Sequence, residues 1–185
     1  MEQLNLKKSG FTLIETLAVV GILGLVVVTS VSIFFLTLKS KRKSSSLTDI
    51  KQSGDYVLSI MSQMMRNAKQ VSGACTTGDP GMSSIDILNP DGQTTTFTCQ
   101  GHSLGCLSAL SPASERIASN SALPRLDCLT ADDVKLSNCG FSCDNSQSGK
   151  PTVITIKFTL EKGDISDILG YASHSFQTTV SLRNY

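Results

Sequence analysis

The 185-residue sequence has no charged side chain between Thr16 and Leu38. A helix over these 23 positions would be about 35 Å long at ~1.5 Å per residue, enough to cross a hydrocarbon core of about 30 Å. A conventional secretory signal has a shorter apolar region and a small-residue cleavage site. No Ala-x-Ala pattern follows this run. The segment is therefore predicted to be a membrane-spanning helix.

Proline is absent before Pro80, and tryptophan is absent from the whole chain. Without proline, nothing forces a kink in the N-terminal helix. Gly21 and Gly24 interrupt the apolar run. Small residues of this kind allow helices to approach closely in a membrane.

A basic surface is absent from the C-terminal part of the chain. From Ser44 onward there are ten Lys and Arg against thirteen Asp and Glu, a formal charge of −3. A nucleic-acid-binding domain has a basic footprint, so no nucleic-acid partner is predicted. The basic flank, Lys39, Lys41, Arg42 and Lys43, follows the apolar run directly. It is either a solvated end of the membrane helix or a contact for lipid headgroups or a neighbouring subunit.

Cysteine is absent from the apolar segment, and all six cysteines follow it: Cys75, Cys99, Cys106, Cys128, Cys139 and Cys143. An even number confined to one globular part predicts a disulfide framework formed in an oxidising compartment. The sequence does not choose among the many possible pairings.

Zinc binding is the alternative role for these cysteines. Cys99-x2-His102-x3-Cys106 and Cys139-x3-Cys143 have ligand-like local spacing. Neither contains the paired Cys-x2-Cys pattern, and the chain has only two histidines. Disulfides are therefore predicted, with no metal and no cofactor. Reduced structural thiols are a third possibility if the compartment is not oxidising.

The residues before the apolar run stand in a specific order. Lys7 and Lys8 precede Gly10, and the string Phe11-Thr12-Leu13-Ile14-Glu15 follows it. Glu15 is the anomaly, because a carboxylate in a membrane helix is costly and usually has a partner and a function. Alternatively, Thr12-x-x-Glu15 is a capping box in which Glu15 bonds backbone donors at the helix start.

This order resembles the cleavage and methylation motif of type IV prepilins and type II secretion pseudopilins. The resemblance implies that a prepilin peptidase cuts between Gly10 and Phe11 and methylates Phe11, the new N terminus. It implies that Glu15 pairs with the N-terminal amine of a neighbouring subunit. The implied partners are the peptidase, other pilin or pseudopilin subunits, an inner-membrane assembly platform and membrane lipid.

The resemblance also implies a single pass through the inner membrane, with the head outside the cytoplasm and later in a pilus or pseudopilus filament. The positive-inside rule opposes this orientation, because the basic flank outnumbers Lys7 and Lys8. The leader must nevertheless lie where the peptidase works. The cysteines also favour an exported head.

Four segments are expected: a leader at 1–10, a transmembrane and assembly helix at 11–38, a basic flank and amphipathic helical extension at 39–72, and a globular head at 73–185. The extension is predicted from spacings of three and four, which place one stripe on a helix: Ile50, Gly54, Val57, Met61, Met64, Ala68 and Val71.

The resemblance implies an α+β, pilin-like fold. In it, half of a long N-terminal helix is transmembrane, and the amphipathic half packs on a small antiparallel β-sheet head with disulfide-pinned loops. Strand-forming stretches at 84–88 and 94–98 flank Asn89-Pro90-Asp91-Gly92, which predicts a hairpin. Two further strands, at 152–160 and 175–182, are predicted to pair antiparallel.

The remainder of the head gives weaker signals. The region 101–149 is rich in Ser, Asn and Asp and is predicted to be irregular, with at most a short helix near 113–119. The C-terminal stretch 176–184 resembles the closing strand of J-type and W-type minor pilins and pseudopilins.

A catalytic motif occurs in the middle of the chain. Gly101-His102-Ser103-Leu104-Gly105 matches the Gly-x-Ser-x-Gly nucleophile elbow of serine hydrolases. An acid (Asp127, Asp132 or Asp133) and a base (His174) follow in hydrolase order. The context opposes a hydrolase, because too few strands precede the motif and too little helix follows it.

The predicted function is that of a structural minor pilin or pseudopilin of a type IV pilus or type II secretion pseudopilus, without catalytic activity. The alternative is a membrane-anchored adhesive module at a filament tip, with 101–149 as its binding surface. A serine hydrolase is the third reading.

Overall fold

The computed structural model describes residues 10, 12–73, 75, 81–100, 106, 115–121, 125–145, 150–166 and 170–183. The chain divides into two compact units, Met1–Lys41 and Arg42–Tyr185. Helix α1 runs from Leu13 to Asn67. With its long apolar helix, antiparallel sheets and disulfide-linked loops, the chain has the predicted α+β, pilin-like organisation.

The first unit contains the apolar part of α1. Its best 18-residue window has a mean hydropathy of 2.7, and none of that window is buried by the protein. The hydroxyl groups in the run are satisfied within the helix: Ser30 donates to the carbonyl of Val26 at 2.7 Å, and Thr37 donates to Ile33 at 2.9 Å. Such internal bonds matter where no water is available. This part of α1 is long and apolar enough to cross a membrane.

In the second unit α1 buries one stripe of side chains against the head: Ile50, Ser53, Gly54, Val57, Met61 and Met65. The predicted stripe is therefore confirmed over most of its length. Met61 and Met65 are fully buried, whereas Met64, which the prediction placed in the stripe, packs partly buried against the core.

Helix α1 ends at Asn67, five residues before the predicted end of the amphipathic extension at 72. The backbone beyond Asn67 finds other partners. Lys69 donates its N–H to the carbonyl of Leu88 at 2.8 Å, and Ser72 donates to Asp86 at 2.8 Å. Pairing with a neighbouring strand thus replaces the helical bonds, and the C-terminal part of the predicted extension is wrong.

Eight strands follow α1 in two antiparallel sheets. Sheet A has the order β1–β5: Gln70–Val71, Ser84–Leu88, Thr94–Thr98, Ala118–Ser121 and Arg125–Cys128. Sheet B has the order β6–β8: Lys135–Asp144, Val153–Lys162 and Ala172–Ser181. Both predicted strand pairs are confirmed, as β2–β3 and β7–β8.

The β2–β3 turn forms as its sequence predicts. Gly92 has a φ of 83°, a conformation that glycine adopts without steric cost. Asp91 accepts a hydrogen bond from the N–H of Gln93 at 2.9 Å, and Asn89 donates its N–H to the carbonyl of Gln93 at 2.8 Å.

The prediction of an irregular region at 101–149 is wrong for its described parts, which contain β4, β5 and all of β6. Residues 118 and 119, placed in a short helix, belong to β4. Strand β6 has two cysteines, one glycine and few large apolar residues, so it lacks the alternation that marks a strand. It forms because β7 offers it a nearly complete ladder of partners.

All six cysteines form disulfides: Cys75–Cys143, Cys99–Cys139 and Cys106–Cys128, with Cα separations of 5.3, 5.7 and 5.7 Å. Cys99, just after β3, is bonded to Cys139 in β6, so this disulfide links sheet A to sheet B. Zinc binding would need free thiolates, but all six cysteines are in disulfides. His102, the histidine of that alternative, lies outside the described residues.

Helix α1 and strand β8 pack closely against each other at Gly54. A methyl group placed on Gly54 would overlap the ring of Phe176. That ring stacks on Phe158 with centroids 5.1 Å apart and has His174 edge-on at 4.8 Å. Glycine at this position therefore sets how closely the helix approaches sheet B.

Gly54→Ala is expected to lower the free energy of unfolding by about 1–3 kcal/mol through overpacking. In an open helix the same change would be stabilising by about 1 kcal/mol. The sign of the change in unfolding free energy therefore distinguishes overpacking from helix propensity. Urea or thermal unfolding of the full chain in detergent measures it. Gly24→Ala is the matched control, since a methyl group there meets nothing within 4 Å. Unchanged or raised stability of Gly54→Ala would contradict the contact.

Candidate functional site

The start of α1 is the candidate assembly site. Gly10 and Thr12 are described and exposed, whereas Lys7, Lys8 and Phe11 lie outside the described residues. The helix begins at Leu13, and the carbonyl of Thr12 accepts hydrogen bonds from the N–H groups of Glu15 at 3.1 Å and Thr16 at 3.2 Å. The predicted cleavage position thus lies just before the first helical turn.

Glu15 occupies the first turn of α1 with its side chain exposed. Among the described residues no hydrogen bond or ion pair to its carboxylate is found, so the capping-box alternative of Thr12 and Glu15 is not formed. A negative charge is favoured at a helix N terminus by the helix dipole. An apolar environment would nevertheless require a positive partner for it, and that partner has to come from outside the described chain.

The helix surface beyond Glu15 is open. Leu17, Val20 and Leu25 are all more than three-fifths exposed, at 67%, 68% and 70%. No atom lies within 4 Å of a methyl group placed on Gly21 or Gly24. This surface is therefore available to lipid or to other apolar helices, and the two glycines permit close approach.

A second group of polar contacts holds α1 to the head. Lys162, near the end of β7, donates to Asp49 of α1 at 2.6 Å and to Asp133, which precedes β6. We call this three-residue group the Lys162 clamp. The hydrogen bond from Lys162 lowers the pKa of Asp133 below its ordinary value. Burial opposes the charged form of Lys162, but its bonds to Asp133 and Asp49 outweigh this effect and raise its pKa.

The segment 129–134 also contacts α1 through Ser53, whose hydroxyl accepts a hydrogen bond from the N–H of Ala131 at 3.1 Å. Arg116 binds this segment through an ion pair with Asp132 and a hydrogen bond that it donates to the carbonyl of Thr130. None of these contacts was predicted. Asp49 and Lys162 are 113 residues apart, so no local pattern could have indicated them.

An open groove of about 620 Å³ lies between α1 and the 129–134 segment. Tyr56, which is 55% exposed, lines it together with the clamp carboxylates and Thr130. The Oγ1 of Thr130 and the Nε of Arg116 are buried without a hydrogen-bond partner in the described part of the chain. The groove lies partly in the region that the adhesive alternative assigned to binding.

The hydrolase motif Gly101–Gly105, including Ser103, lies outside the described residues. Of its suggested partners, Asp132 is paired with Arg116 and Asp133 with Lys162. His174 packs edge-on against Phe176. Asp132 and Asp133 thus have structural partners in the head.

Comparison with known proteins matches residues 5–31 to the family model for the prokaryotic N-terminal methylation motif. No curated protein and no solved structure matches the chain. The match supports a type IV prepilin or pseudopilin-type protein, so the predicted resemblance is confirmed for the N-terminal segment. The motif and the long apolar helix together fit a membrane-anchored pilin, a structural and non-enzymatic class.

Lys162→Gln is expected to lower the free energy of unfolding by about 0.5–1 kcal/mol, the range for partly exposed ion pairs. The loss should be present at neutral pH. The Asp133 contribution, from a lowered pKa, disappears as pH falls below its ordinary value of 3.8 and through the folded value. The Lys162 contribution, from a raised pKa, disappears as pH rises above 10.5 and through the folded value.

Urea unfolding of both proteins from acid to alkaline pH checks this expectation. Lys157→Gln is the control, because Lys157 is exposed on the same strand and no ion pair is found for it within the described residues. A pH-independent difference between Lys162→Gln and the parent would show that packing, not the ion pairs, is responsible.

Proposed function

We propose that this protein is a structural minor subunit of a type IV pilus or type II secretion pseudopilus. Its precursor is cut between Gly10 and Phe11 by a prepilin peptidase, which methylates Phe11. The observation that carries the proposal is the carboxylate of Glu15. It has no partner in the described chain, it lies in the first turn of α1 directly before the charge-free run from Thr16 to Leu38, and it falls inside the matched methylation motif.

Glu15 gives this segment a means of selecting its neighbours. In a bundle of apolar helices every lateral position offers similar packing, so packing alone defines the stagger weakly. A carboxylate that must meet a positive group adds a penalty for every incorrect stagger. The amine created by cleavage before Phe11 is a positive group at the same end of an identical or related helix. Pairing of the Glu15 carboxylate of one chain with the N-terminal amine of another then fixes the register between the two helices.

The proposed orientation places the head outside the cytoplasm. Three disulfides among the cysteines support it, because such bonds persist in oxidising compartments. The basic flank at Lys39–Lys43 would then lie at the outer membrane–water boundary, against the positive-inside rule. The orientation is proposed nevertheless, because the leader must lie on the side of the membrane where the peptidase works.

The adhesive alternative would use the groove beside Tyr56. The groove is open, but its charged side chains are engaged with one another: Lys162 with Asp49 and Asp133, and Arg116 with Asp132. Nothing in this arrangement specifies a ligand. A structural subunit is therefore the better supported function.

Processing is tested by intact and N-terminal peptide mass spectrometry of the protein extracted from membranes without reductant. We expect a chain that begins at N-methylated Phe11 and contains three disulfides. In cells lacking prepilin peptidase, the chain should begin at Met1. A chain that retains Met1 despite an active peptidase would reduce the segment to a plain membrane anchor.

The assembly role is tested by Glu15→Ala. Processing should continue, because the cut precedes Glu15 by five residues. Leaving a buried charge without its partner costs about 3–5 kcal/mol, so incorporation into filaments should fall by more than about tenfold. Immunodetection in sheared filaments against the membrane pool measures this ratio. Thr16→Ala, which removes only a hydroxyl bonded within the helix, is the control. Normal incorporation of Glu15→Ala would refute the role.

A further inference from the structure

The two edges of sheet B are built differently. Strand β6 is interrupted by an irregularity between Leu136 and Asn138, and it ends on the charged residues Lys135 and Asp144. Phe141 is bridged to Met82 across from it. Bulges, charges and covering segments are the devices by which proteins protect a sheet edge from other strands. The β6 edge is therefore closed.

In the part of the head that the structure describes, strand β8 shows none of these devices. It is ten residues long, and it pairs with β7 in an unbroken register from Ala172 to Ser181. It contains no proline and no Lys, Arg, Asp or Glu. In the described part of the head, β8 is the terminal strand of sheet B, and no hydrogen bond is found on its outer side. Its outer backbone N–H and C=O groups are thus available to an extended chain.

The solvent-facing side chains of β8 are suited to pairing with a second, identical strand. The solvent-facing row is uncharged, and all of its members are hydroxyl or amide residues: Ser173, Ser175, Gln177, Thr179 and Ser181. Two of them already form hydroxyl pairs with β7, Thr159 with Ser175 at 2.9 Å and Thr155 with Thr179 at 3.3 Å. Cross-strand pairs of this type stabilise sheets.

We propose that β8 pairs antiparallel with β8 of a second copy of this chain, so that two copies of sheet B become one continuous sheet. Residues opposite each other in a sheet share a face. A twofold axis at Gln177 then places Ser175 opposite Thr179 of the second copy, repeating the hydroxyl pairs made with β7. The same register places His174 opposite Val180.

The absence of charge favours a second copy over a foreign strand. Self-pairing of a charged strand sets like charges near each other, which is destabilising, and β8 carries no such charge. A foreign strand with charges on this face would find no counter-charge in the solvent-facing row of β8. The proposal does not depend on the filament function, because it uses only sheet B.

Charge reversal across the pair tests this inference. The Lys variant is Ser175→Lys/Thr179→Lys, and the Glu variant is Ser175→Glu/Thr179→Glu. In the proposed register each variant sets two like-charge pairs across the axis when it meets itself. A mixture of the two sets two opposite-charge pairs instead. Full-length chains with two different affinity tags are co-expressed, extracted in mild detergent and purified through one tag, and the second tag is quantified.

Parent chains are expected to co-purify. Each variant with itself should co-purify at least about fivefold less, and the mixture should return to the parent level or above. Ser137→Lys/Asn138→Lys, two exposed positions on the closed edge, should leave co-purification unchanged. Rescue by the mixture excludes misfolding as the cause, since both variants are then present in a paired form.

Two results would overturn the proposal. One is that parent chains do not co-purify, or co-purify equally well in all combinations. The other is that mass spectrometry finds a different protein held by the parent and lost from both variants, with no second copy present. That result would indicate that the β8 edge pairs with a strand of a different protein.

Discussion

The head depends on one face of α1 packing against both sheets at once. The described parts of sheets A and B share little backbone pairing beyond the bridge between Met82 and Phe141. The buried stripe from Ile50 to Met65 belongs to one hydrophobic core together with buried side chains of both sheets. Because Gly54 has no side chain, the helix can contact the ring of Phe176, and this contact sets the distance between α1 and sheet B. The disulfides between Cys99 and Cys139 and between Cys75 and Cys143 then tie the sheets together covalently.

The apolar part of α1 obeys a different constraint. Its side chains have no partner within the unit, and its hydroxyl groups bond back to the helix. Such a segment can be satisfied by lipid or by other apolar helices. Glu15 is the exception, since neither environment satisfies a lone carboxylate. This contrast, rather than any pocket, is the reason for proposing that the N-terminal segment is the assembly site.

The polar contacts of the head have a structural role. The Lys162 clamp and the Ser53–Ala131 hydrogen bond attach the 129–134 segment to α1 on the side of the helix beside the core. The two ion pairs of Lys162 are partly exposed, so they orient the segment more than they stabilise it.

Much of this architecture was readable from the sequence. The charge-free run, the order from Lys7 to Glu15, the stripe from Ile50 to Met61 and the two strand pairs are local patterns. They follow from the 3.6-residue helical period, the two-residue strand period and turn chemistry. The number of cysteines indicated disulfides, but not their pairing.

Tertiary structure decided what depends on residues far apart in the chain. Helix α1 ends at Asn67 because β2 takes the backbone donors beyond it. Strand β6 exists because β7 pairs with it, although its own composition is poor in strand signals. The choice of cysteine partners, the approach of Phe176 to Gly54 and the meeting of Lys162 with Asp49 all required the chain to fold. Periodicity fixes which face a residue occupies, whereas only packing fixes what that face meets.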